Sequence, residues 1–327
     1  MYEFATRHRW NLRRASIFLA LMALSAPAAK GEHAQIVLPG DSAYPESVTS
    51  TADGTFYVGS LAAGGIFRAA PGAGQADVWI KPGTFGTRSI FGVYADEKSQ
   101  TLWVCSNDVS SLGIAGPSKV PGAWLKGFDL KTGAGKVSVR FSGRKNFCND
   151  IAVGKDGSVY VTNSWQPQIL KLNPATQKLE VWLSDPLFNP PAKGVGLDGI
   201  AFSADGDLYV NTFNEAKLFH IEVKNGKPGA IGRVSPSQPL DLTDALRLLG
   251  GDAFLMIEGV GKLDRVTFDG NEATIETLKD GLNGPTSVTL RGTTAWVSEG
   301  QLQHLSDKPE PKPTLPFRLV PVAIPKP

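Results

Sequence analysis

The sequence predicts an all-β protein, a six-bladed β-propeller with about four antiparallel strands per blade. Three observations lead there. A short hairpin pattern recurs: Phe147 to Asn163 reads FCNDIAVGKDGSVYVTN, two alternating strands about a Lys155-Asp156-Gly157 turn. It returns as PESVTSTADGTFYVGS from Pro45 and LDGIAFSADGDLYVNT from Leu197, with weaker copies around Phe91, Asp244 and Pro285. The anchors of the second strands, Tyr57, Trp103, Tyr160, Tyr209, Leu255 and Trp296, are spaced 41 to 57 residues apart, which suits propeller blades rather than helical solenoids. Finally, long helical patterns are absent, while 36 Gly and 23 Pro are spread through the turns.

The chain has 327 residues, and its repeats run without a break from about Gln35 to Leu305, so residues 29–305 are expected to form one domain. The leading segment has a different character. Arg7, Arg9, Arg13 and Arg14 are followed by an apolar run from Ala15 to Ala26 and by Ala26-Pro27-Ala28, the pattern of a cleaved signal peptide over residues 1–28. The run is shorter than the roughly 20 apolar residues a membrane span needs. The mature protein is therefore expected to be exported, periplasmic or secreted, with no membrane span after processing. Cleavage removes those four arginines with Glu3, which turns the formal charge from +2 to −1. The basicity belongs to the leader, and no nucleic-acid partner is indicated.

Within the array, Gln35 to Leu38 has no blade of its own and is expected to pair with the last blade and close the ring. Outer strands are read at Val78 to Ile80, Val137 to Phe141, Leu179 to Leu183 and Ala273 to Leu278. Third strands are read at Gly65 to Ala69, Trp124 to Leu130, Ile169 to Leu172, Lys217 to Glu222, Lys262 to Phe268 and Gln301 to Leu305. Insertions at Ser106 to Gly122 and Ser184 to Gly196 should overhang one face, where binding usually sits. Residues 306–327 form a Pro-rich tail in which Phe317 to Ile324 is a possible closing strand. Cys105 lies near the exit of one blade's second strand and Cys148 at the entry of the next blade's first, so the pair is a disulfide candidate in an oxidising compartment.

First strands of propeller blades line the central channel, so the residues that begin them form a ring at one mouth. Here they are Glu46, Gly92, Asn149, Asp198, Asp244 and Pro285. Three converging carboxylates repel one another unless a cation sits between them, and Glu, Asn and Asp oxygens are the donors hard ions prefer. Glu46, Asn149, Asp198 and Asp244 are thus candidate ligands of a divalent cation, foremost Ca2+, with Mg2+, Mn2+ or Zn2+ as alternatives. Asn and Asp are also ordinary turn residues; it is their coincidence at one repeat phase that favours a metal. Second-strand ends face the same mouth, which makes Asn107, Asn163, Thr212 and Glu258, with Trp165 just beyond, candidate substrate contacts.

These residues carry a resemblance. Pro45-Glu46-Ser47, Asn149-Asp150, Leu197-Asp198-Gly199 and Asp244 are similar to the pattern of the regucalcin and gluconolactonase family, also called the senescence-marker-protein family. Diisopropylfluorophosphatase and the paraoxonases are similar more distantly. The resemblance implies a six-bladed propeller holding a divalent cation through one Glu, two Asn and one Asp. Asp198 stands where the family usually has Asn, and Phe147 where gluconolactonase-type members are expected to carry Arg, which favours a more apolar ester or lactone over a polyhydroxylated one. The implied activity is hydrolysis of a small-molecule lactone or ester, with Asp244 or Asp198 as general base. The competing expectation is a non-catalytic propeller that binds a peptide, sugar or envelope partner around a structural ion. A monomer is expected in either case. His220 and His304, both read on third strands, are expected to serve core or surface roles.

Overall fold

The computed structural model describes residues 35–305 and 312–325. The signal peptide expected over residues 1–28 lies outside the described residues. The description below concerns the compact unit that spans Glu32–Pro327.

The described chain is an all-β propeller of antiparallel meanders. Pro45–Ser50, Phe56–Ser60, Ile66–Ala69 and Asp77–Ile80 form one four-stranded sheet in chain order. Ser89–Asp96, Thr101–Asn107, Ala123–Asp129 and Gly135–Arg140 form a second, and Cys148–Val153, Val159–Asn163, Gln168–Asn173 and Lys178–Ser184 a third. The fourth and fifth repeats share an eight-stranded sheet. Its halves run from Leu197–Phe202 to Lys227–Pro236 and from Thr243–Gly250 to Glu272–Lys279, and they meet where Ser235 and Pro236 pair in parallel with Glu272 and Ala273. The first strand of each repeat adjoins that of the next, and Pro285–Arg291 returns to lie beside Pro45–Ser50, so the first strands enclose an axis.

The remaining sheet joins the two ends of the described chain. Pro285–Arg291, Thr294–Glu299 and Arg318–Ala323 are followed at the outer edge by Ile36–Val37, with Ile36 opposite Leu319 and Val37 opposite Arg318. One expectation needs correction. Gln301 to Leu305 is not a third strand, because Leu302–Leu305 is a 3-10 turn and Arg318–Ala323 takes the third position. The chain leaves after Glu299 and returns within Phe317 to Ile324, the stretch read as a possible closing strand, to lie inside the Ile36–Val37 edge. The physical reason is local. Gln301 turns back with positive φ, and its side chain holds Thr314 through two hydrogen bonds, of 2.9 and 2.8 Å, instead of extending a ladder.

Each sheet buries its alternating faces against its neighbours. Ile36, Leu38, Phe56, Trp296, Phe317 and Leu319 pack between the last repeat and the first, so the closure is apolar as well as hydrogen-bonded. Glycine is required at the axis. A Cβ on Gly92 would lie 2.3 Å from Asn149 O, and one on Gly199 would lie 2.5 Å from Asp244 O. The first strands approach so closely there that no side chain fits. Cys105 and Cys148 are joined, with Cα atoms 5.2 Å apart, which ties the second repeat to the third.

Candidate functional site

The six positions that begin the first strands converge, but with one substitution. Glu46, Gly92, Asn149, Asp198 and Asp244 surround a common cavity of about 10 Å³, and the sixth place is taken by Thr286 rather than Pro285. The side chains are brought there by the strand entries. In most first strands the register shifts between the first paired residue and the next, as between Cys148 and Ile151, Leu197 and Ile200, and Thr243 and Leu246. Such a bulge re-aims the intervening side chains, here Asn149, Asp198 and Asp244, toward the axis.

Glu46, Asn149, Asp198 and Asp244 are all nine-tenths or more buried. Asn149 Nδ2 donates to Asp198 Oδ2 at 2.8 Å and to Ser164 Oγ at 2.9 Å, and Ser164 Oγ in turn donates to Leu197 O at 2.6 Å. Burial pushes Asp198 up to about 8, helped by the charge of Asp150 and opposed by the bond from Asn149. Burial also holds Asp244 and Glu46 well above the usual carboxylate range, and the charge of Asp198 adds to both. Asp244 and Asp198 are close enough to share a proton.

Two residues of this site did not stand out in the sequence. Arg247, three residues along from Asp244, makes a bidentate pair with Asp150: Nη1 to Oδ2 is 2.6 Å and Nη2 to Oδ1 is 2.9 Å. Burial works against the Arg247 charge, but Asp150 more than offsets it and raises its pKa. Asp150 sat in the quoted Asn149-Asp150 motif. Nothing in the sequence tied Arg247 to it, because the contact spans 97 positions. Arg247 also lines a separate cavity of about 220 Å³ with Tyr94 and Phe202, toward the far ends of the first strands.

The fit to a cation can be judged from donor chemistry. Glu46, Asp198 and Asp244 bring three buried carboxylates together, and the neighbouring cation, Arg247, is committed to Asp150. The Asn149 amide donates through nitrogen, and among the described residues neither its oxygen nor the Glu46 carboxylate accepts a hydrogen bond. Hard oxygen donors that lack partners around a space for one small sphere suit a divalent ion. Among the described residues no three His, Cys, Asp or Glu side chains are grouped so that they could hold a metal ion as they stand, so the fit lies in the donor chemistry and its charge.

The candidate substrate contacts are placed differently. Asn107 Oδ1 accepts from Cys148 N at 3.0 Å while its Nδ2 donates to Cys148 O at 2.8 Å. Asn163 accepts from Phe147 N and donates to Asn146. Thr212 Oγ1 accepts from Lys217 N, and Glu258 binds Asp241 N and Lys262. All four are at most 2% exposed. They brace the backbone at blade entries because a polar side chain at a buried strand end must find a partner, so they are not free to meet a substrate. Near Glu258, burial and the Glu258 charge push Asp264 up to about 7, and neither of its buried carboxylate oxygens has a hydrogen-bond partner among the described residues. Trp165 is half-buried and packs at a tilt against Phe147, ring centroids 5.0 Å apart, and Phe147 meets Phe91 edge-on at 4.5 Å. His220 pairs with Asp207 at 2.7 Å and stacks on Tyr209, in keeping with a structural role.

No protein-family model matches the chain, and no curated protein is similar to it in sequence. Similarity appears among solved structures. A gluconolactonase from Xanthomonas campestris has a TM-score of 0.64 at 16% identity over 86% of this chain and 87% of its own. Mala s 1, an allergen of Malassezia sympodialis, scores 0.68 at 16% identity over 88% and 96%. A luciferin-regenerating enzyme scores 0.63 at 12% identity over 87% and 92%. A virginiamycin B lyase from Staphylococcus aureus is also similar, at 0.58 and 15% identity over 88% and 82%. At these identities the likeness is one of fold, a propeller shared with gluconolactonase-like proteins and used by several enzymes.

Proposed function

We propose that the chain is a six-bladed propeller whose axial site binds a divalent cation through Glu46, Asn149, Asp198 and Asp244, and that it hydrolyses a lactone or ester. In this reading the eight-stranded sheet is two blades joined at their outer strands through the two-residue parallel contact. The observation that carries the proposal is the gathering of three buried carboxylates from separate repeats around one small cavity. Ca2+ is the foremost candidate because all the donors are oxygens, with Mg2+, Mn2+ and Zn2+ as alternatives. The similar gluconolactonase supports a lactone as substrate.

When bound, such an ion polarises a carbonyl and lowers the pKa of water beside it. The chain's own residues do the rest. Asn149 Nδ2 fixes the orientation of Asp198, and Ser164 fixes Asn149. Asp244 is the general base and receives the proton of the attacking water on a carboxylate oxygen; Asp198, in contact with it, is the alternative acceptor. Phe91, Phe147 and Trp165 stack near the blade-three entry, exclude water and favour an apolar flank on the substrate. The Cys105–Cys148 disulfide supports an exported, oxidising location for a monomeric protein.

The small size of the cavity favours a second reading, in which the ion is structural and the propeller binds a peptide, sugar or envelope partner. Elemental analysis and turnover of an aryl-ester and lactone panel separate the two. A hydrolase retains about one divalent ion and loses turnover in chelator and in Asp244→Ala. A retained ion without turnover across the panel selects the binder. Absence of any ion from wild-type protein given Ca2+, Mg2+, Mn2+ and Zn2+ overturns both.

A further inference from the structure

A second cavity, of about 450 Å³, opens between the first and second sheets, where the hairpin turns Thr51 to Thr55 and Glu97 to Gln100 meet. These turns lie at the opposite ends of the first strands from Glu46 and Gly92, so this space is separate from the acidic ring. Its charged lining is Asp53, Glu97, Arg68 and Lys131.

The acids are engaged by the turns they stabilise. Asp53 Oδ1 accepts from Thr51 Oγ1 at 2.7 Å and from Thr55 N at 2.9 Å, and Glu97 Oε2 accepts from Ala52 N at 3.0 Å. The bases are not engaged in this way. Arg68 is half-buried, sits over the Trp79 ring at 5.5 Å and lies opposite Tyr57 in the ladder. Among the described residues its guanidinium nevertheless makes no hydrogen bond and no ion pair within 4.0 Å, although it feels the charge of Asp53. Lys131 uses only its backbone N–H, on Asp129. The Trp79 and Tyr57 rings, 5.0 Å apart, and the bond from Tyr57 Oη to Leu130 O hold the wall beside Arg68 in place. A planar cation fixed by aromatic stacking, with its donor fork unused beside a second cation, is arranged for an oxyanion. The volume falls within the range of small-molecule sites.

We propose that this cavity is a second binding site, independent of the axial one, which takes a small carboxylate or phosphate ester through Arg68 and Lys131. The two ligand sources share oxyanion chemistry and are distinguished by the test.

The test is calorimetric titration of the full chain, at low ionic strength and in chelator, with D-gluconate, glucose 6-phosphate, inorganic phosphate and uncharged D-glucose. At least one of the anions is expected to bind at one site and glucose not to bind. Arg68→Gln should weaken that binding by about tenfold or more, Lys131→Gln by a smaller factor, and Asp244→Asn should leave it unchanged. Gluconate alone assigns a carboxylate site, and glucose 6-phosphate alone a phosphate-ester site. Thermal melts of both base variants should match wild type; if Arg68→Gln does not fold, the Lys131→Gln result decides. Absence of anion binding to wild type, binding indifferent to both substitutions, or equal binding of glucose overturns the proposal. None of these outcomes depends on the axial reading.

Discussion

At the scale of single residues, the channel is a problem of charge placement. Asp150 and Arg247 are both buried, and each is tolerable there only because the other's hydrogen bonds replace lost water. Loss of one partner strands the other, so Arg247→Met should lower unfolding free energy by about 3–5 kcal/mol, whereas adding Asp150→Asn to it should recover part of that loss. Urea titrations of the two single variants and the double variant measure the coupling directly. A loss under about 1 kcal/mol for Arg247→Met would mean that water reaches the pair. The ring residues themselves were legible because they recur at one phase. The Asp150–Arg247 pair was not, because side-chain reach across the axis has no periodic signature. Asp198, where an amide was expected, makes the site more acidic and is held by the Asn149 amide.

At the scale of elements, polar side chains at the second-strand ends, with Thr286 at the entry of the last first strand, tie each repeat to the next. Asn107 makes both amide bonds to Cys148, Asn211 Nδ2 reaches Asp244 O at 2.6 Å, Thr162 Oγ1 reaches Asp198 O at 2.7 Å, and Thr286 Oγ1 reaches Pro45 O at 2.8 Å. All four contacts hold the backbone of, or immediately before, a ring residue, so they set where the ring side chains stand. The sequence placed Asn107, Asn163, Thr212 and Glu258 at the second-strand ends. It did not reveal that they point sideways into the neighbouring backbone, because direction depends on strand twist and on the bulge at each entry. Asn107→Ala leaves a buried donor and a buried acceptor at Cys148 without partners and should cost about 2–4 kcal/mol. Its readout is chemical denaturation under conditions that keep the disulfide intact. A neutral result would show that the disulfide alone positions the Cys148 entry.

At the scale of the whole molecule, ring closure decides whether the repeats unfold together. Repeat spacing, the unassigned Gln35 to Leu38 strand and the alternation of Phe317 to Ile324 made the closure legible, while the order of the last sheet was not, because Gln301 to Leu305 reads as its third strand and turns instead of extending. The seam combines two ladder positions with a shared apolar cluster, in which Ile36 is 2% exposed and packs with Trp296 and Leu319. A charge placed there by Ile36→Asp should cost on the order of 3 kcal/mol or more, since burial of an unpaired carboxylate is far costlier than loss of the methyl groups alone. The disulfide acts differently. Its 43-residue separation corresponds to about 4 kcal/mol of loop entropy, drawn from the unfolded chain, and its removal leaves the ring closed. Urea unfolding followed by tryptophan fluorescence should therefore show one transition at a lower midpoint for Cys105→Ser/Cys148→Ser. For Ile36→Asp it should show a broadened or biphasic transition as the last repeat detaches first, with Trp296 reporting that early step. A single sharp transition in Ile36→Asp, shifted no further than in the cysteine variant, would mean that the repeats cohere through their inner faces without needing the seam.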